Sequence, residues 1–151
     1  MNFKETIEYL KKGTKHYNLI VVNQESKKCI NECRSIKSKD ITKINLNQKL
    51  LNDLLIGKSQ EEKEYETWDY VKSFLKQNNS KIIILYDVEY LFSPELGNLD
   101  VINNLKYYSR NGQIVILFIK GKIIDNHLIY SEEGYADYRN MDISEVNIVG
   151  W

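Results

Sequence analysis

The stretch "YNLIVVNQESKKCINECRS" (Tyr17–Ser35) decides the fold. It opens as a short apolar run rich in β-branched residues, the pattern of a strand buried on both faces. It ends with the spacing of a helix. Between the two, where a nucleotide-binding protein places glycines, stand Asn23, Gln24, Glu25, Ser26, Lys27 and Lys28. A working phosphate loop reads G-x-x-x-x-G-K-[ST]. Its glycines let backbone N–H groups turn inward on the phosphates, in conformations that side chains obstruct. In the best alignment Asn23 takes the place of the first glycine, Lys28 that of the lysine and Cys29 that of the Ser/Thr, with the loop one residue short. Cys29 would offer soft sulfur where Mg²⁺ prefers oxygen. Glu25 puts negative charge where a polyphosphate would lie. Lys27 and Lys28 keep some positive potential at a helix N-terminus, which favours anions. The competing reading is an ordinary polar βα turn with solvated lysines.

Working outward, strands and helices alternate. Asn2 to Lys12 has apolar residues at helical spacing and is stopped by Gly13. "SKKCINECRSIKS" reads as a helix with Cys29, Ile30, Cys33 and Ile36 toward the core. "ITKINLN" alternates as a strand, and "LNQKLLNDLLIG" turns into a short helix. "KSQEEKEYETWDYVKSFLKQNNS" predicts an amphipathic helix with Tyr65, Trp68, Val71, Phe74 and Leu75 on one stripe. "KIIILYD" and "QIVILFIKG" are buried strands. Between them, "SPELGNLDVINNLKYYSRNG" predicts a helix capped by Ser93, with Pro94 in its first position and Glu95 in its first turn. "KIIDNHLIYSEEGYADYRNMD" reads as a hairpin turning at Asp125–Asn126, followed by a loop. "SEVNIVGW" supplies a last strand. The expectation is one α/β domain over residues 1–151: a three-layer, mostly parallel sheet flanked by helices, with a small antiparallel hairpin near the C-terminus.

Composition sets the limits. The 151 residues include 21 basic and 21 acidic ones, for a formal net charge of +0. That balance argues against nucleic-acid binding by bulk charge. No run approaches the ~18 consecutive apolar residues of a membrane span, so no membrane contact is expected. The charged N-terminus lacks the apolar stretch of a signal peptide, which points to the cytoplasm. Cys29 and Cys33 do not have C-x-x-C spacing and read as reduced structural thiols rather than a metal or redox pair. His16 and His127 stand far apart with no acid–base partner at a defensible spacing. The tyrosines, among them Tyr65, Tyr70, Tyr86, Tyr107, Tyr108, Tyr130, Tyr135 and Tyr138, are scattered along the chain and suggest no ordered stacking platform.

Chemistry concentrates in "KIIILYDVEYLF" (Lys81–Phe92). A hydrophobic strand ending in Asp87, with Glu89 two residues on, has the form of a Walker B element. The carboxyl end of such a strand faces the ligand crevice of an open α/β sheet. There Asp87 could hold Mg²⁺ through its water shell, and Glu89 could orient an attacking water. Many buried strands also end in Asp for purely structural reasons.

Several runs together resemble the small P-loop proteins of BREX phage-defence systems, the BrxF family. They are Ile44–Asn47 ("INLN"), "DVEYLFSPEL", Ser109–Asn111 before the next strand, and the late segment with Tyr130, Gly134, Tyr138 and Arg139. The match spans nearly the whole chain and departs from the family pattern at the glycine-free loop. The resemblance implies a P-loop NTPase-like fold of the AAA+/ASCE kind. It also implies a role among other BREX defence proteins, acting through protein contacts. A homo-oligomer and an indirect association with DNA through the complex would accompany that role. It gives Arg139 the position of an arginine finger reaching a neighbouring subunit's phosphates; the plainer use is a salt bridge or a rim hydrogen bond with Asp137 or Asp142. Asn111 is either a phosphate sensor or part of a turn. With the loop degenerate no cofactor is expected; the alternatives are an ATP- and Mg²⁺-dependent switch and a nucleic-acid-binding accessory module.

Overall fold

The computed structural model describes residues 4–6, 8, 17–33, 40–53, 58–97 and 99–150. In chain order the elements are β1 (Leu19–Val22), α1 (Ser26–Cys33), β2 (Ile41–Asn45), α2 (Leu46–Asp53), α3 (Gln60–Gln77), β3 (Ile82–Tyr86), α4 (Val101–Tyr108), β4 (Ile114–Phe118), β5 (Lys122–Ile124), β6 (His127–Tyr130), β7 (Arg139–Asp142) and β8 (Asn147–Val149). Short 3-10 turns cover Glu89–Phe92, Pro94–Leu96 and Ser109–Asn111.

Five strands form one sheet in the order β2-β3-β4-β1-β8, and every neighbouring pair is parallel. The apolar runs require this. Leu19, Ile20, Val21 and Val22 are all fully buried, as are Ile83, Ile84 and Leu85, so these strands have no solvent face. Burying each such side chain stabilises the fold by about 1.5–3 kcal/mol. One face of the sheet, with Leu19, Val21, Ile83 and Leu85, packs against Leu46 and Leu50 of α2, Val71, Phe74 and Leu75 of α3, and Val101, Ile102 and Leu105 of α4. The other face buries Ile20, Val22, Ile82, Ile84, Ile116 and Phe118 as a second cluster.

A separate antiparallel sheet, β5-β6-β7, follows β4. Its first turn is at Asp125–Asn126, where φ is 44° and 61°, the left-handed pair that matches strand twist in a two-residue hairpin. The inner residues Leu128 and Met141 pair across the strands and join the main core.

The structure differs from the sequence expectations at four places. Ile30 is 50% exposed; periodicity defines a stripe on α1 but not its rotation relative to the sheet. Cys29 and Cys33 lie on α1, while Ile36, His16 and most of the N-terminal segment lie outside the described residues. Tyr65 is 82% exposed, because the first turns of α3 meet the Pro94–Gly97 turn through other residues. Lys63 pairs with Glu95 at 3.0 Å, and a Cβ on Gly97 would lie 3.3 Å from Glu64 Cγ. The helix expected from Ser93 is divided. Ser93 caps only the short Pro94–Leu96 turn, Gly97 at φ 73° ends it, and α4 starts afresh with the Asp100 carboxylate accepting the Asn103 N–H at 3.0 Å. Finally, the segment after the hairpin supplies a third strand, β7, rather than only a loop.

Candidate functional site

Because all five strands of the main sheet run the same way, the residues following β1, β2, β3, β4 and β8 gather at one edge. The turn after β1 is tied to both neighbours. Asn23 donates its N–H to Val149 O at 2.9 Å, and its side-chain Oδ1 accepts the Gly121 N–H at 2.9 Å. The residue standing for the first loop glycine therefore works as a brace between β8 and the end of β4.

Asp87 is the knot of this edge. Its backbone is left-handed, φ 48°, a conformation Asp adopts more readily than most residues. Its N–H donates to Ser26 Oγ at 2.7 Å. Its carbonyl accepts the Asn47 N–H at 2.7 Å, and its carboxylate Oδ2 accepts from Asn45 Nδ2 at 2.9 Å. Glu89 Oε2 accepts from Asn47 Nδ2 at 2.7 Å, and Asn47 Oδ1 accepts the Tyr90 N–H at 2.9 Å. Asn45 also caps α2, its Oδ1 accepting the Gln48 N–H at 3.0 Å. The two asparagines of "INLN" thus hold the two acids of "DVE". Both pairs are two residues apart, at the carboxyl ends of the adjacent parallel strands β2 and β3. That matched spacing was the available sequence signal for Asn45 and Asn47, whose roles were not anticipated. Ser26 had no such signal.

Beside the knot lies a pocket of about 100 Å³, whose polar lining is Gln24, Glu25, Ser26, Glu89, Lys120 and Tyr130. Small-molecule sites typically measure ~300–1,000 Å³, so this pocket has room for a few waters. Two carboxylates face one lysine. Glu25 and Lys120 pair across it at 3.3 Å, both well exposed, a contact worth ~1 kcal/mol or less. The Tyr130 phenol is pushed up to about 12, first by burial and then by the nearby Glu89 and Asp137 charges. Lys28 sits half-buried on α1, its N–H bonded to Glu25 O at 2.9 Å, and is not part of the pocket lining. Cys29 occupies the next helical position. Among the described residues, no group of three or more His, Cys, Asp or Glu side chains comes together around a metal-sized space.

Arg139 is turned inward. Nη1 donates to Tyr138 O at 2.8 Å and Ala136 O at 3.4 Å; Nη2 donates to Phe92 O at 3.1 Å and Gly97 O at 3.2 Å. Neither Asp137 nor Asp142 is its partner: Asp137 accepts from Ser131 Oγ, and Asp142 accepts the Ser144 N–H. Tyr130, paired with Arg139 across β6 and β7, stacks on Phe92 with centroids 4.2 Å apart and planes at 24°. The "LFSPELG" segment and the late Tyr130–Arg139 segment, far apart in sequence, are thus two sides of one contact. Asn111 accepts the Gln113 N–H in the turn before β4, on the side of the sheet edge away from Asp87.

Comparison with family models, curated proteins and solved structures finds no match for this chain. Among the described residues, no helix is long and apolar enough to cross a membrane.

Proposed function

We propose that this protein is a P-loop-like domain whose nucleotide site has been replaced by an internal polar network, and that it acts through protein contacts as a component of a BREX-type defence complex. The observation that carries the first half is the state of the crevice. Asp87, the residue that would hold Mg²⁺, is bonded to Ser26, Asn45 and Asn47, and the adjoining space is about 100 Å³. The strand order supports the fold reading. It sets β4 between β1, which precedes the glycine-free turn, and β3, which ends in Asp87. A strand inserted at that place is the mark of the additional-strand P-loop class that the resemblance implies.

The residues present do not fit a nucleoside triphosphate with magnesium. The turn offers no glycine, Glu25 and Glu89 repel phosphate, and Lys28 lies outside the pocket lining. Membership of a defence complex rests on the sequence runs "INLN", "DVEYLFSPEL" and Tyr130 to Arg139. The fold gives those runs structural work: one fastens the acids, and the other two fasten each other. A nucleotide-gated switch is the second reading, supported by the left-handed Asp87 backbone, since strained residues cluster at switch sites.

Calorimetric titration with ATP and Mg²⁺ tests the proposal, beside Asp87→Asn and Lys28→Ala. The expected result is no binding heat at millimolar ATP. Micromolar binding weakened by both substitutions would overturn it in favour of the switch. Affinity capture from cells carrying the intact defence locus tests the second half; recovery of none of the neighbouring defence proteins would remove it.

A further inference from the structure

A second concave site lies on the other side of the domain. It sits between α3 and α4, toward the amino ends of β3 and β4, and measures about 290 Å³. One wall is a stripe along α3, Trp68, Lys72 and Lys76, each one helical turn from the next. The other is Asn104, Tyr107 and Asn111 along α4 and the turn after it. Tyr108 closes the floor; it is buried and its hydroxyl is hydrogen-bonded to Gln113. Among the described residues, no carboxylate lines this cleft, although acids and bases balance over the whole chain.

The cations continue past the cleft. Lys106 Nζ lies 5.1 Å from the Tyr107 ring centre and 5.1 Å from that of Tyr17. Arg110 stands 5.6 Å from Tyr17. Tyr17 meets Tyr107 edge to face at 5.9 Å, which fixes a tyrosine that is nonetheless 51% exposed. Glu145 offsets part of the Lys106 charge at 4.0 Å.

We propose that this cleft binds single-stranded nucleic acid, taking a base against Tyr107 and the flanking phosphates on Lys72 and Lys76. Three chemistries meet here and match three parts of a nucleotide. An exposed, pre-positioned aromatic ring offers a stacking face, which any base accepts. Asn104 offers an amide of the kind that pairs with base edges, and Asn111, whose Oδ1 accepts the Gln113 N–H, offers its Nδ2 as a donor. The two lysines, on one helical face, offer point charges to successive phosphates. An acidic peptide would use the lysines alone. A duplex keeps its bases stacked inside and cannot present one to Tyr107. The tyrosines and tryptophan that lie apart in the sequence are brought together here by the packing of α3 on α4. This site is separate from the crevice at Asp87 and stands whether or not that crevice binds nucleotide.

The test is fluorescence anisotropy with short, labelled, mixed-sequence oligonucleotides, single-stranded DNA and RNA in separate arms, at about 50 to 200 mM salt. The expected result is binding of a single strand with a log–log salt slope of about −1.4, from two phosphates at about −0.7 each. Lys72→Ala should bring the slope to about −0.7. Tyr107→Ala should weaken binding roughly fivefold or more, while Tyr107→Phe keeps most of it. Both positions are on the surface, so the fold should stand. Quenching of Trp68 emission, read in a Trp151→Phe background, gives an independent signal from the cleft. Equal affinity for duplex, equal displacement by a glutamate-rich peptide, a salt slope indifferent to Lys72→Ala, or no binding at low salt would each overturn the proposal.

Discussion

Replacing Arg139 separates a structural clamp from an arginine finger. The guanidinium donates to four carbonyls of its own chain, and two of these, Phe92 O at 3.1 Å and Gly97 O at 3.2 Å, belong to a segment more than forty residues away. Hydrogen bonds from a charged donor contribute about 1.5–3 kcal/mol each. The two local bonds, to Tyr138 and Ala136, hold nothing remote and are set aside. Against the two long-range bonds stands the buried Nε, which has no hydrogen-bond partner and returns about 1–3 kcal/mol. The net loss expected for Arg139→Ala is about 3 kcal/mol. For a domain of this size that is a fall in Tm of roughly 6–12 °C. Arg139→Lys keeps the charge but loses the planar fork; it cannot bridge both carbonyls and should lose at least half as much. Urea unfolding and thermal melts read the magnitude, and limited proteolysis between Phe92 and Gly97 reads the location, since that segment should be cut faster once released. A variant within about 0.5 kcal/mol of wild type, or a lysine as good as the arginine, would refute the clamp. A finger reaching a neighbour would leave stability intact and lower only an activity shared between subunits.

Three further outcomes follow from the same geometry. Asp87→Ala puts an alanine at φ 48° and removes the Asn45 contact, so it should cost about 1–2 kcal/mol. Asp87→Asn, which tolerates that backbone and keeps a side-chain hydrogen bond, should cost clearly less; equal losses in urea titrations would show that neither backbone nor contact matters. Gly121→Ala should destabilise by about 1–3 kcal/mol, because its Cβ would lie 2.6 Å from Ile129 O and 2.8 Å from Leu128 Cδ1; a neutral substitution in the same assay would show that β6 yields. Tyr130 is held neutral up to about 12, against an ordinary 10.0. Above the lower value the unfolded chain releases the proton and the folded one keeps it, so its stabilising contribution is complete below about pH 10 and is lost as pH rises toward about 12. Tyr130→Phe should flatten that part of the stability–pH curve, and an unchanged curve would place the phenol in water.

The sequence by itself determined the layered α/β plan. Apolar runs such as "IIILY" admit only strands buried on both sides, and the Asp125–Asn126 pair admits only a tight hairpin turn, because both properties are local to a few residues. It also determined that the turn after β1 lacks the backbone freedom of a phosphate loop, since that follows from the absence of glycine alone. Tertiary structure decided everything that depends on two segments meeting. Ile30 and Tyr65 kept their helical phase but ended outside, because periodicity does not say what a helix face meets. The bond from Ser26 to Asp87 spans sixty-one residues and that from Arg139 to Phe92 forty-seven; neither leaves a trace in spacing. Lys72 and Lys76 of α3 carried no signal in the sequence, and Tyr107 of α4 read as one scattered tyrosine among several, until packing set them across one cleft. Charge, aromaticity and hydrogen-bonding capacity are properties of single residues, but a site is a property of distances, and only the folded chain sets those.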